Sequence, residues 1–598
     1  MFVKSKFRFF FSKPISYQQA PKDSDDACDA GVALQLFGVA VDIFGRDGVD
    51  NEEEAVENPA HIMKPAHVQQ VGQHKAQEEH RCAQPNLRLK GQLFYKNASF
   101  SPSLWEKNTI NSGVKSRAAL LRFLWRWCIM QGKTTFHRGE ETTMKFLEYL
   151  NDHIVCLDGG CGTYLQQRGL QPGESPEPWN VSHGEVITGM HKAYYDAGSN
   201  VVFTNTFGAN GLKYGDEELE AIVTAAVANA KAARDQSNTP QEKFVALDIG
   251  PLGKLLKPYG DLDFEDAVTA FAKTVRFGAA AGVDLVVVET MADSYETKAA
   301  VLAVKENCDL PVLVTNAYGQ SGNLMTGATP EAMVAMLEGL GVDLLGANCS
   351  LGPKQLRSVV ERLLAVASVP VVLKPNAGLP RLEDGKTVFD VTVEEFVDEV
   401  VDMVNGGVRA VGGCCGTNPD YLAQLSEKVQ GIVPKSVSDK ARTVISSYNH
   451  AVCFGEDEAT IGSCTEDGES IRDSLVDGDV EDIVDAALDL QDEVEIMHLN
   501  VDLPEVDVAA VLKEAVCEVQ AVSGQPLQLE TSHAAALEAA LRRYNGKAMV
   551  KCAAEDVEKL LPIAAKYGAV VAVPAAAEGA VLAAAEKVGM QKKDFLFS

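Results

Sequence analysis

Cys414 and Cys415 stand side by side in VGGCCGTNP, residues 411–419, behind two glycines and ahead of a third. Neighbouring cysteines rarely close a disulfide with each other. The thirteen cysteines of this 598-residue chain are scattered, and the opening MFVKSKFRFFF lacks the apolar core and small-residue cleavage site of a signal peptide. The thiols therefore read as reduced and the protein as cytoplasmic, where clustered cysteines suggest metal or catalysis before disulfides. A third cysteine, Cys349 in DLLGANCS (343–350), also follows a short apolar run. Three thiolates around an open mouth make a zinc site with a free fourth position, the mark of a catalytic ion rather than a structural one. Glycines flanking the pair let the backbone bend so that both sulfurs reach one ion. Most free cysteines are merely buried small hydrophobes, so the reading depends on whether the fold brings Cys349 close.

The elements around these residues answer that. Residues 144–435 alternate short β-branched runs with Ala- and Glu-rich stretches of helical spacing. The runs are IVCLDGG (154–160), NVVFTNTFG (200–208), KFVALDIGP (243–251), DLVVVETM (284–291), PVLVTNAYG (311–319), DLLGANCS (343–350), PVVLKPNAG (370–378) and VRAVGGCCG (408–416). Near-continuous apolar strands alternating with helices imply a parallel sheet covered on both faces. Eight such units predict an α/β fold, a closed (β/α)8 TIM barrel. Chemistry in that fold sits at the C-terminal strand ends. Those ends carry Asp158, Asn205, Asp248, Glu289, Asn316, Cys349, Asn376 and the Cys414–Cys415 pair. Cys349 ends the sixth strand and the pair ends the eighth, so closure brings all three to one side of the rim.

Two further segments flank the barrel. Residues 436–598 begin the pattern again, with strands expected at AVCFGE (451–456), VEIMHLNV (494–501), PLQLETS (526–532), AMVKC (548–552) and AVVAVPA (569–575), and DFLFS opening a sixth. This predicts a partial second β/α barrel whose open edges need a covering partner or further chain. Residues 1–143 differ in kind: they hold 19 Lys/Arg against 16 Asp/Glu, whereas the rest holds 35 against 68. They show no sustained periodicity. RGEETTM at their end encodes a purine-rich run just before the codon of Met144, as a ribosome-binding site would. The expectation is that Met144 is the true start.

The overall charge of −30 argues against nucleic acid or an anionic membrane as partner, since both need clustered positive charge. No apolar run reaches the roughly 18 to 20 residues that span a bilayer.

GANCSLGP, KPNAGLP and GGCCGT, in this order and spacing, closely resemble the homocysteine-binding zinc barrel of the homocysteine S-methyltransferase family. LDGGCGTYLQQRG, AGSNVVFTNTFGAN and VVVETM fall where that family has its own versions, and the match covers essentially all of 150–430. TNTFGAN with KPNAGLP looks most like the N-terminal module of cobalamin-dependent methionine synthases. The resemblance implies an enzyme that converts homocysteine to methionine. Cys349, Cys414 and Cys415 would hold Zn²⁺, with the homocysteine sulfur as fourth ligand. Coordination lowers the pKa of that thiol so that it ionises and attacks a methyl group. Asp158 and Glu289 are assigned to the substrate's ammonium group, and Asn205 and Thr206 to its carboxylate. Two roles stay open for Asn376, filling the vacant metal position before substrate arrives or shaping the KPNAGLP loop. Cys156 and Cys161 are expected to pack only.

The C-terminal segment resembles the start of the pterin-binding barrel that follows this module in methionine synthases. Its strand ends depart from the pattern: His498 and Glu530 stand where that family has Asp, and Lys551-Cys552 where it has Asn. Asp457 and Ala459 replace its Arg and Asn after the first strand. Pterin recognition needs a specific set of donors and acceptors, so the resemblance does not extend to binding methyltetrahydrofolate. No Asp-x-His-x-x-Gly cobalamin motif is found, which implies methylcobalamin delivered in trans on a separate corrinoid protein. The alternatives are the same thiol methylation from S-methylmethionine or another donor, and a non-catalytic module that binds homocysteine or a corrinoid protein.

Overall fold

The computed structural model describes residues 139–597 except 384–385, 456–458 and 466–468. The readings of residues 1–138 and of Asp457 lie outside the described residues. Helix α1 (Gly139–Asp152) runs through Met144.

Eight parallel strands follow: β1 (Val155–Cys156), β2 (Val201–Phe203), β3 (Phe244–Ile249), β4 (Leu285–Met291), β5 (Val312–Asn316), β6 (Leu344–Asn348), β7 (Val371–Lys374) and β8 (Ala410–Val411). β2 to β7 pair in chain order, β8 pairs with β7, and β1 with β8. The ring closes where Leu157 bridges Val201 and the Asn200 amide donates to the Cys156 carbonyl at 2.6 Å. The expected (β/α)8 barrel is present.

Alternation along the strands sends one set of side chains inward. Val155, Leu157, Val201, Phe203, Phe244, Ala246, Leu285, Val287, Leu313, Leu344, Val372 and Ala410 pack together in the lumen, with Phe146 and Leu150 of α1. Phe146 meets Phe244 edge to face, ring centres 5.2 Å apart. The helix stoppers the N-terminal end of the barrel, so the opposite end is left for chemistry. Helices between the strands cover the outside, among them α7 (Ser294–Lys305) and α8 (Pro330–Gly339).

Beyond the barrel a second parallel sheet has six strands in chain order: β11 (Ile461–Ser463), β12 (Ile496–Asn500), β13 (Leu527–Glu530), β14 (Met549–Lys551), β15 (Val570–Val573) and β16 (Phe595–Phe597). The architecture is a full barrel followed by a partial one. One strand differs from expectation. AVCFGE joins no parallel ladder: β10 (Ala451–Cys453) folds back antiparallel on β9 (Val444–Ser446). The hairpin packs Ile445 and Val452 under the inner face with Ile496, Met549 and Val570. The first parallel strand is instead Ile461–Ser463, whose apolar content is a single isoleucine.

The two sheets meet closely. Lys298 of α7 is fully buried and donates through Nζ to the carbonyls of Leu541, at 2.7 Å, and Tyr544. Those carbonyls close the C-terminal end of helix α15 (Ala534–Arg543). Arg542 of the same helix pairs with Glu265 at 2.7 Å and Glu306 at 2.6 Å.

Candidate metal centre and the acidic mouth

The sulfurs of Cys349, Cys414 and Cys415 lie within 4.8 Å of one another, and this is the one group of metal-ligating side chains of its kind found among the described residues. Sγ of Cys349 is 3.9 Å from Sγ of Cys415. Two sulfurs sharing a tetrahedral zinc at ~2.3 Å stand about 3.8 Å apart, so the donor set fits that ion. The thiols also oppose ionisation among themselves. The Cys414 thiol is pushed well above its ordinary value by its hydrogen bond with Cys349, and further by burial and by Glu289, against a lowering from Cys415. Three thiolates at this spacing require a cation among them.

One four-residue segment positions all three cysteines. The Lys374 carbonyl accepts the Cys349 amide at 3.1 Å and the Pro375 carbonyl accepts the Cys414 amide at 2.8 Å. Oδ1 of Asn376 accepts the Cys415 amide at 3.1 Å, and the Ala377 amide donates to the Cys415 carbonyl at 2.9 Å. Cys349 and Ser350 adopt φ of 57° and 58°, a left-handed backbone rare for side chains of this kind. Such strain persists where surroundings over-determine it and clusters at functional sites. On the other loop Gly416 has φ of 82°, and a Cβ there would meet the Phe389 ring at 2.4 Å. A Cβ on Gly160 would meet the Cys414 carbonyl at 2.9 Å, which explains the glycines of LDGG opposite the cysteine pair.

Beside the sulfurs is a buried charge cluster. Asp158, Asp248, Glu289 and Lys374 are each at most 8 % exposed. Nζ of Lys374 lies 3.0 Å from Oδ1 of Asp158, 3.5 Å from Oε2 of Glu289 and 3.7 Å from the centre of the Phe203 ring. Burial works against the Lys374 charge, but Asp158 and then Glu289 outweigh it and hold the ammonium above its usual range. Burial pushes the Glu289 carboxyl up, with Lys374 pulling against it. Asp248 is pushed well above the carboxylate range, first by burial and then by Glu289. Asn348 braces this wall: its Nδ2 donates to Oγ1 of Thr290 at 2.6 Å and to Oε2 of Glu289 at 3.4 Å, and its Oδ1 accepts the Thr290 amide at 2.9 Å.

Asp158, Glu289 and the three cysteines thus gather at one mouth. Asn205 and Thr206 lie at the same end, but their side chains bond the protein itself. Nδ2 of Asn205 donates to the Pro176 carbonyl at 2.8 Å, and Oγ1 of Thr206 donates to the Asp248 carbonyl at 2.7 Å. Cys156 is buried in the outer core, whereas Cys161 sits near the mouth, its Sγ donating to Oδ1 of Asn205 at 3.4 Å. Lys374 was not singled out by sequence reasoning. Its signal was a lysine closing an otherwise apolar strand, just before Pro375.

In the second sheet the exchanged residues contact one another. Nε2 of His498 is 2.8 Å from Oε2 of Glu530, and Nζ of Lys551 donates to the same oxygen at 2.9 Å. The substitutions at three strand ends form one hydrogen-bonded chain.

Comparison with known proteins agrees with this geometry. Residues 155–429 match the family model described as homocysteine S-methyltransferase. A methionine synthase of Mycobacterium tuberculosis is 28 % identical over 483 residues, covering 75 % of this chain and 40 % of that protein. A methionine synthase of Mycobacterium leprae is 28 % identical over 433 residues, covering 68 % and 36 %. The chain therefore spans about two fifths of the length of these curated relatives. Among solved structures, the metallated form of the homocysteine methyltransferase MmuM from Escherichia coli aligns at 22 % identity with a TM-score of 0.41, covering 48 % of this chain and 99 % of that one. The span that matches the homocysteine S-methyltransferase family model coincides with the closed barrel and its three cysteines.

Proposed function

We propose that the barrel transfers a methyl group to the thiol of homocysteine, giving methionine, and that Cys349, Cys414 and Cys415 hold Zn²⁺ for this purpose. The observation that carries the reading is the convergence of three sulfurs beside a buried acidic wall in a barrel that matches this family model. A zinc ion there supplies a Lewis acid that keeps the substrate sulfur ionised at neutral pH. The chain's own residues do the rest. The 374–377 segment fixes the cysteine loops, so their sulfurs need little rearrangement to bind. The acidic wall, Glu289 with Asp158, draws the substrate's ammonium and so aims its side chain at the sulfurs. Asn205 and Thr206 shape the opposite wall, where the carboxylate is assigned. Asn376 acts by holding the Cys415 loop. The donor proposed is methylcobalamin carried on a separate corrinoid protein, and the partial second barrel offers edges for a protein partner. A reducing cytoplasm suits three free thiols.

The test is methyl transfer from methylcobalamin to homocysteine by the full chain, before and after zinc removal and restoration. Zinc-dependent methionine formation is expected. Bound zinc without turnover, even with a corrinoid protein supplied, would point to another donor such as S-methylmethionine. Absence of both would leave a binding module.

A further inference from the structure

A cavity of about 460 Å³ lies between the two barrels and the link that joins them. Helix α8, which follows β5, ends at it with Glu338 and Gly339. A helix in this fold returns from the end of one strand to the start of the next. On the other side stand Lys547, Ala569 and Asp594, each one or two residues ahead of β14, β15 or β16. The cavity therefore sits at the N-terminal ends of the strands of both sheets, opposite the ends that carry Cys349 and His498. Part of its wall is bare backbone, for a Cβ on Gly568 would meet the Gly339 carbonyl carbon at 2.1 Å.

The lining holds an excess of cations, in a chain whose net charge is −30. Two of its charged groups are already neutralised. Glu331 receives the Arg362 guanidinium on both oxygens, at 2.8 and 2.6 Å, and Lys593 donates to both oxygens of Asp439 at 2.9 and 2.8 Å. Lys440, Arg442 and Lys547 remain, against Glu338 and Asp594. Lys547 is 9 % exposed, and its Nζ stands 3.8 Å from Oδ1 of Asp594, longer than a hydrogen bond. Burial holds this ammonium below its usual range, and Asp594 and Glu338 offset that only in part. Nη2 of Arg442 donates to the Val366 carbonyl at 3.4 Å. Among the described residues, neither Arg442 nor Lys440 has a carboxylate within ion-pair distance. Ala441 between them adopts φ of 49°, a left-handed backbone unusual for alanine. Its amide is tied to Oδ1 of Asp439 at 2.8 Å, and the Lys440 amide to Oγ of Ser368 at 3.0 Å.

A buried ammonium without a close acceptor is unfavourable, and three cations around one space repel one another. An anion relieves both. A phosphate ester brings nearly two negative charges and three acceptor oxygens, which suit a guanidinium fork and two ammonium groups. Bare phosphate leaves most of the space empty, since cavities of ~300–1,000 Å³ are the size that holds organic ligands. Val334, Val366, Val444 and Met590 give this one an apolar side. We propose that the cavity binds a small phosphate ester with an apolar body, its charged end held among Lys440, Arg442 and Lys547. Val334 belongs to the first barrel, Lys440 and Arg442 to the link and Lys547 to the second barrel, so the ligand fastens the barrels together. The site is separate from methyl transfer.

Isothermal titration calorimetry of the full chain with phenyl phosphate, inorganic phosphate and phenol tests this. One equivalent of phenyl phosphate is expected to bind, inorganic phosphate about tenfold more weakly for want of a buried ring, and phenol not measurably. R442M, K440M and K547M should each weaken phenyl phosphate by about tenfold or more, the scale of one charge-assisted hydrogen bond. Zinc content and circular dichroism should match wild type. K440M and R442M, made on the half-buried link, keep the test intact if K547M fails to fold. Phenyl phosphate should also slow protease cleavage around 436–443 in wild type and not in R442M. Neither heat nor protection with millimolar phenyl phosphate, or wild-type affinity in both R442M and K440M, would overturn the proposal. Equal affinity for inorganic phosphate would overturn the organic body.

Discussion

The backbone amide of Cys415 donates to the side-chain oxygen of Asn376, 3.1 Å away. The bond joins the loop after β8 to the loop after β7. It also employs the amide oxygen that the sequence left open as an occupant of the vacant metal position.

Asn376→Ala removes that acceptor and leaves a half-buried amide to find another. Outer-shell partners of this kind typically matter by about 10- to 100-fold in metal affinity. The expected result is weaker zinc retention of that order in competition with a chelator, with an unchanged far-ultraviolet spectrum. Wild-type retention would show that the Pro375 and Ala377 contacts hold the loop alone.

Cys349→Ala, Cys414→Ala and Cys415→Ala should each reduce bound zinc from near one equivalent to a small fraction, because two thiolates do not close a stable site of this type. Elemental analysis after dialysis measures this. Cys156→Ala, made in the outer core, should keep the metal. A fully loaded Cys349→Ala protein would break the three-sulfur assignment.

Glu296 in α7 accepts the Leu252 amide at 2.7 Å, and burial pushes its carboxyl up to about 8, against the pull of that amide and with Asp293 adding to the rise. Unfolded, the group ionises near 4.5. Between those values the folded chain keeps a proton that the unfolded chain has released. Stability from this group is therefore complete below the lower value and is lost as pH rises towards the upper one, at up to ~1.4 kcal/mol per pH unit. Glu296→Gln mimics the protonated carboxyl, so its urea midpoint should lie near that of wild type at the lower end and exceed it increasingly towards the upper end. Parallel profiles would contradict the assignment.

Lys298 joins the two sheets by donating to two carbonyls at the end of α15. Lys298→Met leaves both carbonyls buried without a donor, a loss of about 2–4 kcal/mol. The expected signature is a lower denaturation midpoint together with faster protease cleavage in the link around 436–443. An unchanged cleavage rate would mean that the Arg542 ion pairs suffice.

Much of this was legible in the sequence, and the exceptions have physical reasons. Buried parallel strands are nearly continuous apolar runs, so eight of them and their polar ends could be read directly, with Cys349, Asp158 and Glu289 in place. Lys374 escaped because its ammonium is stabilised by Asp158 and Glu289, which lie 216 and 85 positions earlier in the chain. Asp248 was visible as a strand end, but that its buried Oδ1 has no hydrogen-bond partner among the described residues depends on what its neighbours do. Ile461–Ser463 offers too little apolar sequence to announce a strand and is one only because β12 lies beside it. AVCFGE showed the opposite error: its apolar residues are real, but they serve a hairpin.

The pairings Asn348 with Lys374 and Val411 with Leu373 tie β6 and β8 to the same strand. A slip of one residue in either ladder turns the side chains to the opposite face and shifts a strand by about 3.3 Å, far beyond the ~0.2 Å tolerance of a metal–ligand distance. An ion held by these sulfurs would consequently act as a proofreader of folding. A barrel trapped with one mispaired strand can remain compact yet cannot be charged with metal at any concentration. Fractional metal content in a purified sample would then count misassembled molecules rather than report a weak affinity, and adding more zinc would not raise it, whereas unfolding and refolding in its presence would.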